Sequence, residues 1–150
     1  LDTDGCLDFY AGTGDPDFMT WRANIHSKGR ALLMLFLFSD VAEEDAPTRI
    51  RVGSHADIPR QLAPAGEAGL TLRELAADGF ASSAHRPVIS AVGEAGTVYL
   101  CHPFLVHSAQ MNRRGRPRFI AQPPLLPADP ENRSRGQLNA VEQATAVSMR

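Results

Sequence analysis

"GEAGTVYLCHPFLVHSAQMNRRGRPRF", residues 93–119, decides how this chain folds. A Gly-Glu-Ala-Gly turn opens it, and an apolar run with strand chemistry follows. Pro103 breaks or bends that run, which suits an edge strand or a bulge. His107 closes the apolar "FLV" just ahead of a polar turn. The far end carries Arg113, Arg114, Arg116 and Arg118. Three of them sit at the tip of the turn and read as a solvated loop. Arg118 differs, because it stands inside the apolar strand "RFIA". A guanidinium entering a core needs an anion, and a carboxylate matches its planar fork. Eleven extended residues would span roughly 36 Å. The "NRRGRP" turn folds that distance back, so His107 and Arg118 can face one cavity. His102 is offset from His107 by an odd number of residues, so a regular strand puts the two on opposite faces.

Working outward, "HRPVIS" supplies the strand before the turn. "TRIRVGSH" alternates arginine with Ile50 and Val52, a strand with one wet face ended by Gly53. "ALLMLFLF", residues 31–38, is a continuous apolar run of strand length, fit for burial on both sides, with a buried helix as the alternative. "TLRELAADG" predicts a short helix: Thr71 and Glu74 have capping-box spacing, Leu72 and Leu75 share a face, and Gly79 stops it. "PRFIAQPPLL" reads as a last strand ending in Pro123-Pro124. Residues 126–136 read as a polar linker, and "LNAVEQATAVSM" as a helix capped by Asn139 with Glu142 three residues on. At the other end, "LDTDGCLDFYAGTGDPDF" is loop-like, and "WRANIHSKGR" holds a short strand with a Lys28-Gly29 turn. Many short strands with Gly and Pro turns, and no alternating long helices, predict a mainly β sandwich or barrel.

The bulk numbers bound the function. At 150 residues, 43% apolar and 21% charged, the chain suits one soluble domain with a real core. A formal net charge of −2 provides no basic field for nucleic acid. Two distant cysteines, Cys6 and Cys101, suggest neither a disulfide scaffold nor a zinc ribbon, and a cytoplasmic compartment is the default. The longest apolar run falls far short of the ~20 residues of a membrane span. The chain starts at Leu1, directly against a charged motif, and reads as lacking N-terminal elements of a longer sequence. No Gly-rich phosphate loop, nucleophile elbow or Cys-x-x-Cys occurs.

With "VGSH" upstream and His107 and Arg118 at this spacing, the chain resembles the phytanoyl-CoA dioxygenase family of iron(II)- and 2-oxoglutarate-dependent dioxygenases. The resemblance runs over about residues 1–125 and is most specific at 93–119. It implies a double-stranded β-helix (jelly roll) with short flanking helices, residues 126–150 forming a tail and helix of one partial domain. It implies iron held by a His-x-Asp pair and a distal His, a two-histidine, one-carboxylate triad. His107 matches the distal His and Asp4 the carboxylate of "DTDG". Arg118 matches the arginine that salt-bridges the far carboxylate of 2-oxoglutarate. The family's first His falls at position 2, where this chain has Asp2. The serine that often stands two residues after the distal His is Ala109 here.

Asp2, Asp4 and His107 would bring two negative charges to the metal where the family brings one, which predicts weaker iron binding. The implied activity is hydroxylation of a small organic substrate coupled to decarboxylation of 2-oxoglutarate. Phe104, Leu105 and Phe119 are expected to wall the site against water. The alternative is an impaired or truncated jelly roll with a binding role only, and a cupin-like hydrolase or isomerase ranks behind both. His26, on another predicted strand, reads as a surface residue, His55 as part of a turn, and Trp21 as core near the barrel mouth.

Overall fold

The computed structural model describes residues 17–27, 31–125 and 138–150. Asp2, Asp4, the loop that holds them, the Lys28-Gly29 turn and the 126–136 linker lie outside the described residues.

The chain is mainly β, with three small antiparallel sheets and a few short helices, an arrangement compatible with a β-sandwich. The strands are β1 (Arg22–Ala23), β2 (Leu32–Leu37), β3 (Arg49–Arg51), β4 (Leu70–Thr71), β5 (Val88–Ser90), β6 (Val98–Cys101), β7 (His107–Ser108), β8 (Ile120–Ala121) and β9 (Pro124–Leu125). The helices are α1 (Ile58–Leu62), α2 (Leu72–Leu75) and α3 (Ala140–Ser148). In one sheet β2 is central, flanked by β6 on one side and by β8 and β9 on the other. A second sheet runs β5-β3-β7, and β1 pairs with β4 in a third.

The apolar run at 31–38 is a strand, but it buries one face only. Leu33, Leu35 and Leu37 are buried, while the alternate residues are half-exposed. Period-2 alternation sends Met34 and Phe36 to the other side, with Leu100 of β6 opposite Met34. Leu35 and Leu37 meet Ile50 of β3, Leu105, Val41 and Ala91, so this core joins the two larger sheets. Each such leucine stabilises the fold by about 1.5–3 kcal/mol through burial. A second core gathers Ile58 and Leu62 of α1, Leu75 of α2, Phe104 and Val106.

Pro103 does more than bend a strand. The segment before it, β6, pairs with β2; the segment after it, β7, pairs with β3 in the other sheet. Proline has no N–H to offer a ladder. The chain turns there instead: the Leu105 N–H donates to the His102 carbonyl at 2.9 Å, and the Phe104 N–H to His102 Nδ1 at 3.0 Å. One predicted strand is therefore two, and the Gly-Glu-Ala-Gly turn joins strands of different sheets rather than a hairpin.

Both predicted capping boxes form. Thr71 and Glu74 close the N-terminus of α2, and Asn139 and Glu142 that of α3. Helix α2 ends at Leu75, four residues before Gly79, which takes a positive φ of 67° in the turn beyond. The last strand does not stop at its prolines: after Ile120–Ala121 the pairing with β2 resumes at Pro124–Leu125 in unchanged register.

Candidate functional site

Strand register places His107. It lies opposite Ile50, whose side chain is buried between the two sheets, and two residues beyond buried Leu105. His107 therefore continues the inward row of β7. Ser54 sets the neighbouring backbone: its hydroxyl, fully buried, accepts the Val106 N–H at 2.8 Å. The Arg51 N–H donates to the Val106 carbonyl at 2.9 Å, so both polar groups of that peptide segment are engaged.

His107 Nδ1 lies 2.9 Å from the Leu105 carbonyl. A carbonyl only accepts, so Nδ1 carries the proton and Nε2 keeps the lone pair. That tautomer suits a metal ligand, oriented by a backbone carbonyl through its other nitrogen. Burial above all pushes its pKa down to about 4, against the opposing pull of the Leu105 carbonyl. The ring is thus neutral near pH 7 and needs no proton loss before binding a cation.

Arg118 precedes β8, and the alternation of that strand turns Arg118, Ile120 and Gln122 to one side. All three line the same cavity as His107, Ser108 and Ala109, a space of about 650 Å³. Among the described residues the Arg118 guanidinium forms no hydrogen bond and no ion pair, although the residue is half-buried. A guanidinium so placed is a ready carboxylate receptor.

The apolar side of the cavity comes from Trp21, read from the sequence as core near the barrel mouth, together with Phe18, Met19 and Phe80, which the sequence did not single out. A 3-10 turn, Phe18–Thr20, is capped by the Asp17 carboxylate, which accepts the Met19 N–H at 2.9 Å and pairs with Arg73 at 2.8 Å. The Leu72 N–H donates to the Trp21 carbonyl at 3.0 Å. These contacts hold Phe18, Met19 and Trp21 beside Leu72 and Phe80, and all five line the cavity. Trp21, half-buried, thus lines the cavity rather than the packed core. The wall expected from Phe104, Leu105 and Phe119 is not there: Phe104 and Leu105 are buried in the two separate cores, and Phe119 is 64% exposed. Parity explains the last case, since an inward Arg118 turns its neighbour outward.

The chain from residue 15 to 120 matches the family model described as phytanoyl-CoA dioxygenase (PhyH). The chain belongs to the phytanoyl-CoA dioxygenase family. The matched span holds His107 and Arg118 and begins beyond Asp2 and Asp4. No curated protein and no solved structure matches the chain.

The remaining histidines sort apart from this site. His102 Nδ1 accepts the Phe104 N–H, so its Nε2 carries the proton and points at the Val141 carbonyl, 3.2 Å away on α3. His102 stacks on His55 with ring centroids 5.2 Å apart. Burial lowers the pKa of both. His26 is exposed, 3.7 Å from Glu67. Of the turn arginines, all exposed, Arg114 lies 3.8 Å from Glu44 and 3.9 Å from Asp45. Among the described residues no three His, Cys, Asp or Glu side chains cluster as a metal site, and no helix is long and apolar enough to cross a membrane.

Proposed function

We propose that this member of the phytanoyl-CoA dioxygenase family is an iron(II)- and 2-oxoglutarate-dependent dioxygenase that hydroxylates a small organic substrate, on a double-stranded β-helix. The observation that carries the reading is the shared cavity: a histidine whose Nδ1 proton is held by the Leu105 carbonyl, and a half-buried arginine with no ion pair among the described residues, line the same space.

The His107 tautomer supports a cation at this end of the cavity, with Asp4 and Asp2 as the proposed carboxylate ligands. Bound iron would supply the chemistry by which dioxygen oxidises 2-oxoglutarate to succinate and carbon dioxide, one oxygen atom entering succinate and the other the substrate. The chain's own residues do the rest. Arg118 takes the distal carboxylate through its fork and so fixes which end of the cosubstrate reaches His107. Leu105 holds the His107 ring and its tautomer. Phe18, Trp21, Leu72 and Phe80 exclude water and offer an apolar surface to the substrate. A cavity of about 650 Å³ exceeds what one five-carbon diacid fills, which leaves room for a second molecule.

The second reading, a jelly roll that binds without turnover, rests on Asp2 in the place of the family's first histidine. Protein mixed with Fe(II), 2-oxoglutarate and air separates the two. Succinate release that depends on both additions supports the dioxygenase; binding of 2-oxoglutarate with no succinate supports the remnant.

A further inference from the structure

Thr48 is the other polar side chain in this cavity whose position calls for a ligand. The residue is only 7% exposed, and its side chain lines the cavity with Arg118 and His107. Its hydroxyl makes no hydrogen bond among the described residues. A hydroxyl removed from bulk water is usually partnered, so one left open to a cavity marks a place where a ligand oxygen belongs.

The backbone holds Thr48 firmly. The Gln110 side-chain amide donates to the Pro47 carbonyl at 2.8 Å, and the Ala91 N–H to the Thr48 carbonyl at 2.8 Å. Pro47 itself is buried. Register fixes the neighbour of Thr48. Arg49 pairs with Ser108 in the β3–β7 ladder, and continuing by one residue sets Thr48 beside Ala109. Ala109 is the position two residues after His107, and it has no hydroxyl.

A carboxylate has two oxygens with about four lone-pair sites, and a bidentate guanidinium occupies two of them. The others need donors, or they remain unpaired in a space shielded from water. We propose that the Thr48 hydroxyl donates to the carboxylate held by Arg118, so that a threonine on one strand supplies the contact that Ala109 on the neighbouring strand lacks. The proposal rests on the reading of the cavity as a 2-oxoglutarate site, and it adds Thr48 as a cosubstrate-binding residue.

The test is anaerobic titration of Fe(II)-loaded protein with 2-oxoglutarate, alongside melting of the ligand-free protein. Thr48→Val keeps the shape and removes the donor, and it should weaken 2-oxoglutarate about tenfold, as expected for one hydrogen bond to a charged group. Thr48→Ser keeps the donor and should stay within about threefold of the unmodified chain. The ligand-free melting temperature of Thr48→Val should not fall, because the hydroxyl it removes has no hydrogen-bond partner among the described residues. Thr48→Ala, which adds no bulk, gives the same comparison should the valine variant not fold. Equal affinity in Thr48→Val and the unmodified chain, or equal loss in the valine and serine variants, would overturn the proposal. If the unmodified chain itself binds no 2-oxoglutarate, the dioxygenase reading fails and takes this proposal with it. If Arg118→Met abolishes binding and Thr48→Val does not change it, only the Thr48 assignment falls.

Discussion

Arg118→Met separates a binding arginine from a structural one. Methionine keeps much of the aliphatic stem and removes the charge and all five donors. In the folded chain the guanidinium has no hydrogen bond and no ion pair among the described residues, so the substitution breaks no contact. Its effect on stability should therefore stay within about 0.5 kcal/mol. Binding should respond differently. A bidentate pair makes two charge-assisted hydrogen bonds, each worth roughly 1.5–3 kcal/mol, from which the desolvation of both ions must be subtracted. A net loss of about 3–4 kcal/mol corresponds to a Kd several hundredfold higher. Calorimetric titration with 2-oxoglutarate under anaerobic conditions reads the affinity, and urea unfolding of the ligand-free protein reads the stability. An unchanged Kd would show that the carboxylate lies elsewhere. A stability loss of about 2 kcal/mol or more would show that Arg118 serves the fold.

Two further outcomes follow from the framework around the site. Ser54→Ala leaves the buried Val106 N–H without an acceptor, which costs about 1–3 kcal/mol and lowers Tm by several degrees. Iron affinity should fall with it, because that peptide precedes His107; a variant as stable as the parent would refute the role of Ser54. The stacked pair His55 and His102 adds to the response to acid that buried His107 also produces. Burial lowers both pKa values below 6.5 in the folded chain, so the unfolded chain binds protons first as pH falls. Stability is therefore full above about pH 7 and declines as pH falls through the unfolded value near 6.5. His55→Gln should make that decline shallower between pH 7 and pH 5 in urea titrations, and an unaltered slope would contradict it.

The parts of the molecule legible in the sequence are those fixed by nearby residues. The boxes at Thr71–Glu74 and Asn139–Glu142 close within one turn and could be read from spacing alone. Pro103 announced a break for the same reason, since a missing N–H is a property of one residue. That the break carries the chain from one sheet to another could not be read, because it depends on which strands lie beside β6 and β7. The run at 31–38 shows the same limit. Eight apolar residues promise a strand, but the half-exposed face of Met34 and Phe36 is decided by what packs against it. Arg118 stood out as a cation among apolar neighbours, whereas Thr48 did not, because threonine is common at strand ends and only tertiary burial gives its hydroxyl meaning. Phe119, expected in the cavity wall, is exposed, and parity alone gives the reason: once Arg118 faces inward, residue 119 faces out. The aromatic side of the cavity joins segments about 60 residues apart: Trp21 could be placed near the barrel mouth by resemblance, whereas Phe18 and Phe80 carry no local signal.

Whether the cavity of His107 and Arg118 assembles iron with 2-oxoglutarate is tested most directly by anaerobic titration of the protein with Fe(II) and then 2-oxoglutarate, followed by visible absorption. Chelation of iron by the 2-oxo acid produces a weak charge-transfer band. The account predicts that the band appears in the unmodified chain, is lost in His107→Ala, and needs far more 2-oxoglutarate in Arg118→Met. No band in the unmodified chain, or one that survives the loss of His107, would contradict it.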